Sequence, residues 1–305
     1  MRAPTVVLKS VGFIGEVTDG DSPGASPDLL ATGFFVCVPF ISPVLAHKRF
    51  GYFVTAAHVA KYLSDKPICF LVNKRDGGLT GIDVADEQWW VHPTDRTADV
   101  VVVSTILNPE ADMKCVSLKD FANEDDFLAG HIGVGDEVLI AGLFTPAPGI
   151  ARNMPIVRHG NIAMVPQEQI QTEMGFADVY LVEARSIGGL SGSPVFVRST
   201  EVPEEIGSAR GIKLLGLMQG HWDIKESEMN APSILHDHQR GVNLGIGIVV
   251  PASKILEVIN SPQLVEARMA IEQKILDEKV PDSATPTPHA DSPLEQNQSC
   301  YRPER

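Results

Sequence analysis

Gly188-Gly189-Leu190-Ser191-Gly192-Ser193-Pro194 restricts what this chain can fold into more than any other stretch. Apolar runs flank it, Val179-Tyr180-Leu181-Val182 before and Val195-Phe196-Val197 after. A serine between glycines inside a β pattern sits on a tight turn with its backbone exposed. Glycine takes backbone angles that other residues avoid and lets a chain pass close to a ligand. Such a turn can aim several backbone N–H groups at one oxygen. By itself the stretch reads equally well as a glycine-rich hairpin turn.

Two upstream stretches change that balance. Tyr52-Phe53-Val54-Thr55-Ala56-Ala57-His58 is an apolar β run that ends in a histidine. Thr97-Ala98-Asp99 is followed by four valines, Val100 to Val103. A serine hydroxyl is a poor nucleophile unless a base takes its proton, and the base needs a partner that fixes its tautomer. The order His, Asp, Ser separates this chain from the Asp, His, Ser and Ser, Asp, His arrangements of two other hydrolase folds. An α/β-hydrolase elbow also fails on the residues. Gly189-Leu190-Ser191-Gly192-Ser193 lacks the last glycine of Gly-x-Ser-x-Gly, and β residues follow it where that fold needs a helix.

Thr55-Ala56-Ala57-His58 resembles the histidine motif of the trypsin/chymotrypsin superfamily, and Gly189-Leu190-Ser191-Gly192-Ser193-Pro194 its nucleophile motif. Asn153-Met154-Pro155-Ile156-Val157-Arg158 and Gly245 to Pro251 also resemble the bacterial trypsin-like and high-temperature-requirement (Deg) peptidases. The likeness covers roughly the first 250 residues. It implies an all-β fold of two six-stranded antiparallel barrels with the reacting groups at their seam. Residues 1–120 would form the first barrel with His58 and Asp99, and 121–251 the second with Ser191. Residues 252–280 would be helices packed on the second barrel, and 281–305 a tail too poor in apolar residues to order itself. No PDZ-like module is expected in residues 252–305.

The resemblance implies a serine endopeptidase. Ser191 would be the nucleophile, His58 the base, Asp99 the residue that orients it, and the N–H groups of Gly189 and Ser191 the oxyanion hole. Asp95 competes with Asp99; Asp99 is preferred because it adjoins the valine run. The substrate would be a polypeptide lying along the strand that carries Gln219, Gly220 and His221. Six residues before Ser191, where trypsins carry the aspartate that selects basic side chains, stands Arg185. A basic preference is therefore not expected. Arg185 would favour acidic side chains if it faces the pocket, and small or apolar ones would be preferred if it points away. The alternative is a protease-fold binding or regulatory module that kept these residues without a working site. Leu190, which precedes the serine, cannot accept a buried ammonium, so no N-terminal cleavage is expected to be needed.

Composition limits the partners. A formal net charge of −14 argues against nucleic acid, because phosphate binding needs clustered Lys and Arg. No run has membrane-spanning length. A protein regulator or a homo-oligomer stays open. Met1 to Lys9 is too short and interrupted for a signal peptide, and residues 4–17 read as a first strand broken at Gly12 and Gly15. Cys37, Cys69, Cys115 and Cys300 lack metal or disulfide spacing, and Val59 stands where secreted relatives carry a cysteine. Free thiols and a cytoplasmic location are expected. No cofactor is expected and no metal: His236-Asp237-His238 lacks further ligands and reads as a solvated loop. Trp89-Trp90 reads as packing.

Overall fold

The computed structural model describes residues 3–16, 27–82, 84, 88–185, 188–199, 211–224 and 242–279. The histidine pair at 236 and 238, the residues after 280 and most of the loop expected at 18–28 lie outside these.

The first unit runs α1 (Thr5–Lys9), β1 (Val11–Glu16), β2 (Asp28–Pro39), β3 (Arg49–Thr55), α2 (Ala57–Tyr62), β4 (Ile68–Asn73), β5 (Leu79–Gly81), β6 (Trp90–Val91), β7 (Val101–Thr105) and β8 (Val116–Ser117). Its sheet order is β5-β4-β1-β2-β3-β7-β6, with β8 parallel to β2. One antiparallel bridge, Val84 to Thr105, joins the chain beyond β5 to β7 and brings the sheet round on itself. The strands carry near-continuous buried runs, such as Ala31 to Val36 in β2, because both faces of the sheet are covered. The expected strand at 4–17 is two elements: α1, and then β1. Pro4 starts the helix in an extended conformation, and of its five residues only Val7 is buried. Gly12 and Gly33 do not break the sheet. They face each other across β1 and β2, and a Cβ on Gly33 would lie 2.3 Å from the Phe53 ring. The pair leaves room for Phe53, which packs against Phe35 and Phe70 at 5.0 and 4.8 Å between ring centroids. Trp89 extends this cluster onto Phe70.

Cys37 and Cys115 form a disulfide that ties β8 to β2 across 78 residues. This corrects the expectation of free thiols at both positions. The bonded residues meet only because the strands pair, which sequence spacing does not display. Cys69 remains a thiol, half-buried, and burial pushes its pKa up.

The chain between the two units contains α3 (Glu124–Leu128). Asn123 caps it, accepting from the Asp126 N–H, while Asp126 accepts from the Asn123 N–H. The second unit follows: β9 (Glu137–Gly142), β10 (Ile156–Met164), β11 (Ile170–Thr172), β12 (Gly175–Ala177), β13 (Tyr180–Glu183), β14 (Pro194–Arg198), β15 (Ile212–Ile224) and β16 (Val242–Pro251). Six of these close into a barrel, β10-β13-β16-β15-β14-β9, and β11 and β12 form a side hairpin. Val138, Ile140, Ile162, Val182, Val195 and Leu215 fill its interior.

Two helices end the described chain, α4 (Ala252–Ile259) and α5 (Pro262–Lys279). Ala252, Ile255, Val258 and Ile259 of α4 join a core that runs from the first unit to Leu139, Leu214 and Leu217 of the second, and α4 lies against both β7 and β15. The expectation that the last helix packs on the second barrel is corrected. Glu272 accepts the N–H groups of Ile41 (3.1 Å) and Ser42, and Arg268 donates to the Tyr52 hydroxyl (3.0 Å), so α5 lies on the first unit. Its buried row is Leu264, Arg268 and Glu272, while Ala267 and Ile271, apolar residues spaced at three and seven from Leu264, are exposed. Both buried charges are hydrogen-bonded, which is what makes such burial tolerable.

Candidate active site

His58 and Asp99 meet in the first unit, and the turn that carries Ser191 lies against Thr32 of β2 and Thr55 at the end of β3. β3 ends at Thr55, and His58 lies in the first turn of α2. Asp99 lies just before β7 and is wholly buried. Its Oδ1 accepts the His58 backbone N–H at 2.9 Å, and its Oδ2 accepts from His58 Nδ1 at 2.7 Å. A carboxylate accepts only, so this contact puts the ring proton on Nδ1 and leaves Nε2 with a lone pair. The His58 side chain is 44% exposed, while the acid that anchors its ring is wholly buried.

Asp95 has another task. Its Oδ1 accepts from the N–H and hydroxyl of Thr97, and its Oδ2 meets Lys254 Nζ at 2.9 Å. Burial alone would push its carboxyl up. The bonds from Thr97 and Lys254 outweigh that and hold it well below the usual carboxylate range.

The serine turn is shaped by two glycines in left-handed conformation, Gly189 at φ +95° and Gly192 at φ +82°. The turn is tied to its own barrel by Gly192 N–H to the Met218 carbonyl and Met218 N–H to the Ser193 carbonyl, both 2.8 Å. It is docked on the first unit through Thr32, which sequence reasoning missed. Thr32 N–H donates to the Ser191 carbonyl (3.1 Å), and its hydroxyl donates to the Gly189 carbonyl (2.7 Å). That hydroxyl also accepts the Leu143 N–H, and the Thr32 carbonyl accepts the Thr55 hydroxyl. The only sequence signal is a threonine inside an otherwise apolar run, Leu29 to Val38. Gly192 lies against the strand that carries the histidine: a Cβ there would sit 2.1 Å from the Thr32 carbonyl oxygen and 2.2 Å from Thr55 Oγ1.

Among the described residues, neither the Gly189 nor the Ser191 N–H donates to any acceptor. The Ser191 hydroxyl donates to the Gln219 carbonyl at 3.3 Å. Its bond is therefore to Gln219 and not to His58 Nε2 in this structure. Gln219 is the extra residue of a β-bulge, between Met218 and Gly220 in the pairing of β15 with β16. On its other side β15 pairs with β14 only as far as Leu217, so among the described residues the edge at Gln219, Gly220 and His221 faces no strand there. Arg185 lies beyond the end of β13 and is exposed. No group of three or more His, Cys, Asp or Glu side chains among the described residues could hold a metal.

No protein-family model matches this sequence, and no curated protein matches it. Solved structures do resemble its fold. The MamO protease domain from Magnetospirillum magneticum, in apo form, shares 16% identity at a TM-score of 0.49, over 84% of this chain and 99% of that one. Deg5 shares 12% at 0.45, over 82% and 87%. The HtrA-type protease AlgW with a decapeptide shares 16% at 0.44, over 90% and 66%. The strand order gives this chain one closed six-stranded barrel beside an eight-stranded sheet, where two six-stranded barrels were expected, and the structures it resembles include a protease domain and an HtrA-type protease.

Proposed function

We propose that this chain is a serine endopeptidase. The observation that carries the reading is the pairing of a buried Asp99, bonded twice to His58, with a serine turn whose Gly189 and Ser191 N–H groups are uncommitted. A peptide would add as a strand along β15 at Gln219, Gly220 and His221, beyond the end of its pairing with β14. The Ser191 Oγ would leave the Gln219 carbonyl by rotation about its Cα–Cβ bond and attack the scissile carbonyl carbon. Its proton passes to His58 Nε2, and the imidazolium is stabilised by Asp99. The carbonyl oxygen, now negative, takes the two N–H groups. Each such donor contributes roughly 10²–10³ in rate in a studied protease. Collapse breaks the C–N bond, and His58 gives its proton to the leaving amine. Water then attacks the acyl ester by the same route and releases the acid. With Arg185 exposed, a small or apolar side chain before the cleaved bond fits better than a basic one.

A specific observation favours the second reading, a non-catalytic binding module: the Ser191 hydroxyl is engaged by the Gln219 carbonyl. A fluorophosphonate probe separates the two, because it needs the nucleophile, the base and the hole together. Stoichiometric labelling of the intact chain at Ser191, absent in Ser191→Ala and His58→Ala, is expected. No labelling of folded protein, with or without peptide, would leave the binding-module reading. The Cys37–Cys115 bond removes the argument for a reducing, cytoplasmic location, since that argument rested on free thiols.

A further inference from the structure

The segment that delivers Asp99 has no regular structure of its own. Between β6, which ends at Val91, and β7, which begins at Val101, the chain turns without a ladder. Yet Asp99 must be held against His58 to within a fraction of an ångström for the ring to face Ser191. Two side chains in the segment act as anchors, and both end on α4.

The first is His92, almost wholly buried. Its Nδ1 accepts the N–H groups of Thr94 (3.3 Å) and Asp95 (2.9 Å). A nitrogen that accepts twice carries no proton, so Nε2 carries it and donates to Glu257 at 2.8 Å. The second anchor is Asp95. It closes the turn at Thr97 and meets Lys254 at 2.9 Å. Lys254 and Glu257 stand three residues apart on α4, on one face of the helix. Lys254 also reaches Asp178, at 3.9 Å, between β12 and β13 of the second unit. α4 itself follows directly from β16, whose neighbour β15 carries Gln219.

We propose that Lys254 and Glu257 are positioning residues for the triad acid: through Asp95 and His92 they set the 92–97 turn that presses Asp99 onto His58. Neither touches a reacting atom. The inference rests on the His58–Asp99–Ser191 reading, and it makes the C-terminal helix part of the active-site assembly. A helix that only covered the core would need its apolar face alone, Ala252, Ile255, Val258 and Ile259.

The test reads the His58–Asp99 bond itself. A ring N–H held by a buried carboxylate gives a strongly deshielded proton resonance, assigned by its loss in Asp99→Asn. The full-length chain would be compared with Lys254→Met, which keeps the apolar stem, with Glu257→Ala, and with the conservative Lys254→Arg and Glu257→Gln, each first shown to be folded by its thermal transition. In Lys254→Met and Glu257→Ala the resonance should broaden or vanish, and the rate of serine-probe labelling should fall about 10- to 100-fold. Lys254→Arg and Glu257→Gln should restore both. An unchanged resonance in folded Lys254→Met and Glu257→Ala overturns the proposal, as does its absence from the unaltered protein. If the resonance is present and responds as stated while nothing labels at Ser191, the peptidase reading fails and the positioning inference stands.

Discussion

Replacing Gly192 by alanine probes the joint between the two units directly. Gly192 has φ +82°, and an added Cβ would lie 2.1 Å from the Thr32 carbonyl oxygen and 2.2 Å from Thr55 Oγ1. A left-handed conformation costs an L-residue roughly 1–2 kcal/mol. Relieving the overlap adds about 1–3 kcal/mol, because Thr32 offers backbone and not a flexible side-chain end. The total, roughly 2–5 kcal/mol, is a large fraction of the about 5–15 kcal/mol that stabilises a typical domain. The overlap is relieved only by moving the serine turn off the strand that delivers His58. A displacement near 1 Å costs about 10²-fold in rate. The loss should therefore appear twice, in the denaturant midpoint and in labelling of Ser191 by a fluorophosphonate. Gly188→Ala is the control: no atom lies within 4 Å of its added Cβ, and its φ is not left-handed. It should stay within about 0.5 kcal/mol of the unaltered protein. A Gly192→Ala protein that unfolds at the same denaturant concentration as Gly188→Ala and labels at the same rate would refute the docking of the turn on Thr32 and Thr55.

With Cys37 and Cys115 bonded, the denatured, unreduced chain should titrate only Cys69 and Cys300; four thiols would show that the bond does not form. Closing a loop of 78 residues corresponds to about 4–5 kcal/mol of chain entropy, so reduction should lower the denaturant midpoint markedly, and an unchanged midpoint would count against it. Thr32→Val keeps the shape and removes the hydroxyl shared by the Gly189 carbonyl and the Leu143 N–H. Two buried partners are then unpaired, for a loss of about 2–4 kcal/mol in chemical denaturation and slower labelling at Ser191. Wild-type stability in that variant would remove Thr32 from the joint.

The residues read as reacting groups were legible because each stands at the end of an apolar β run. His58 closes Tyr52 to Thr55, Asp99 opens the valine strand, and Ser191 sits between glycines before Val195. A strand of period two and a turn that needs left-handed glycine are local events, so neighbours in sequence report them. What sequence left undetermined is set by partners distant in the chain. Asp99 and Asp95 are both aspartates of one short loop; one faces His58 and the other Lys254, and only the packing of α4 decides which. Thr32 binds a turn more than 150 residues later, and Cys37 meets Cys115 because β8 lies beside β2. In α5 the apolar spacing of Leu264, Ala267 and Ile271 pointed to one face, yet Arg268 and Glu272 are the residues buried. Burial of a charge depends on whether a carbonyl, hydroxyl or N–H meets it from another element, and those partners exist only once the two units have formed.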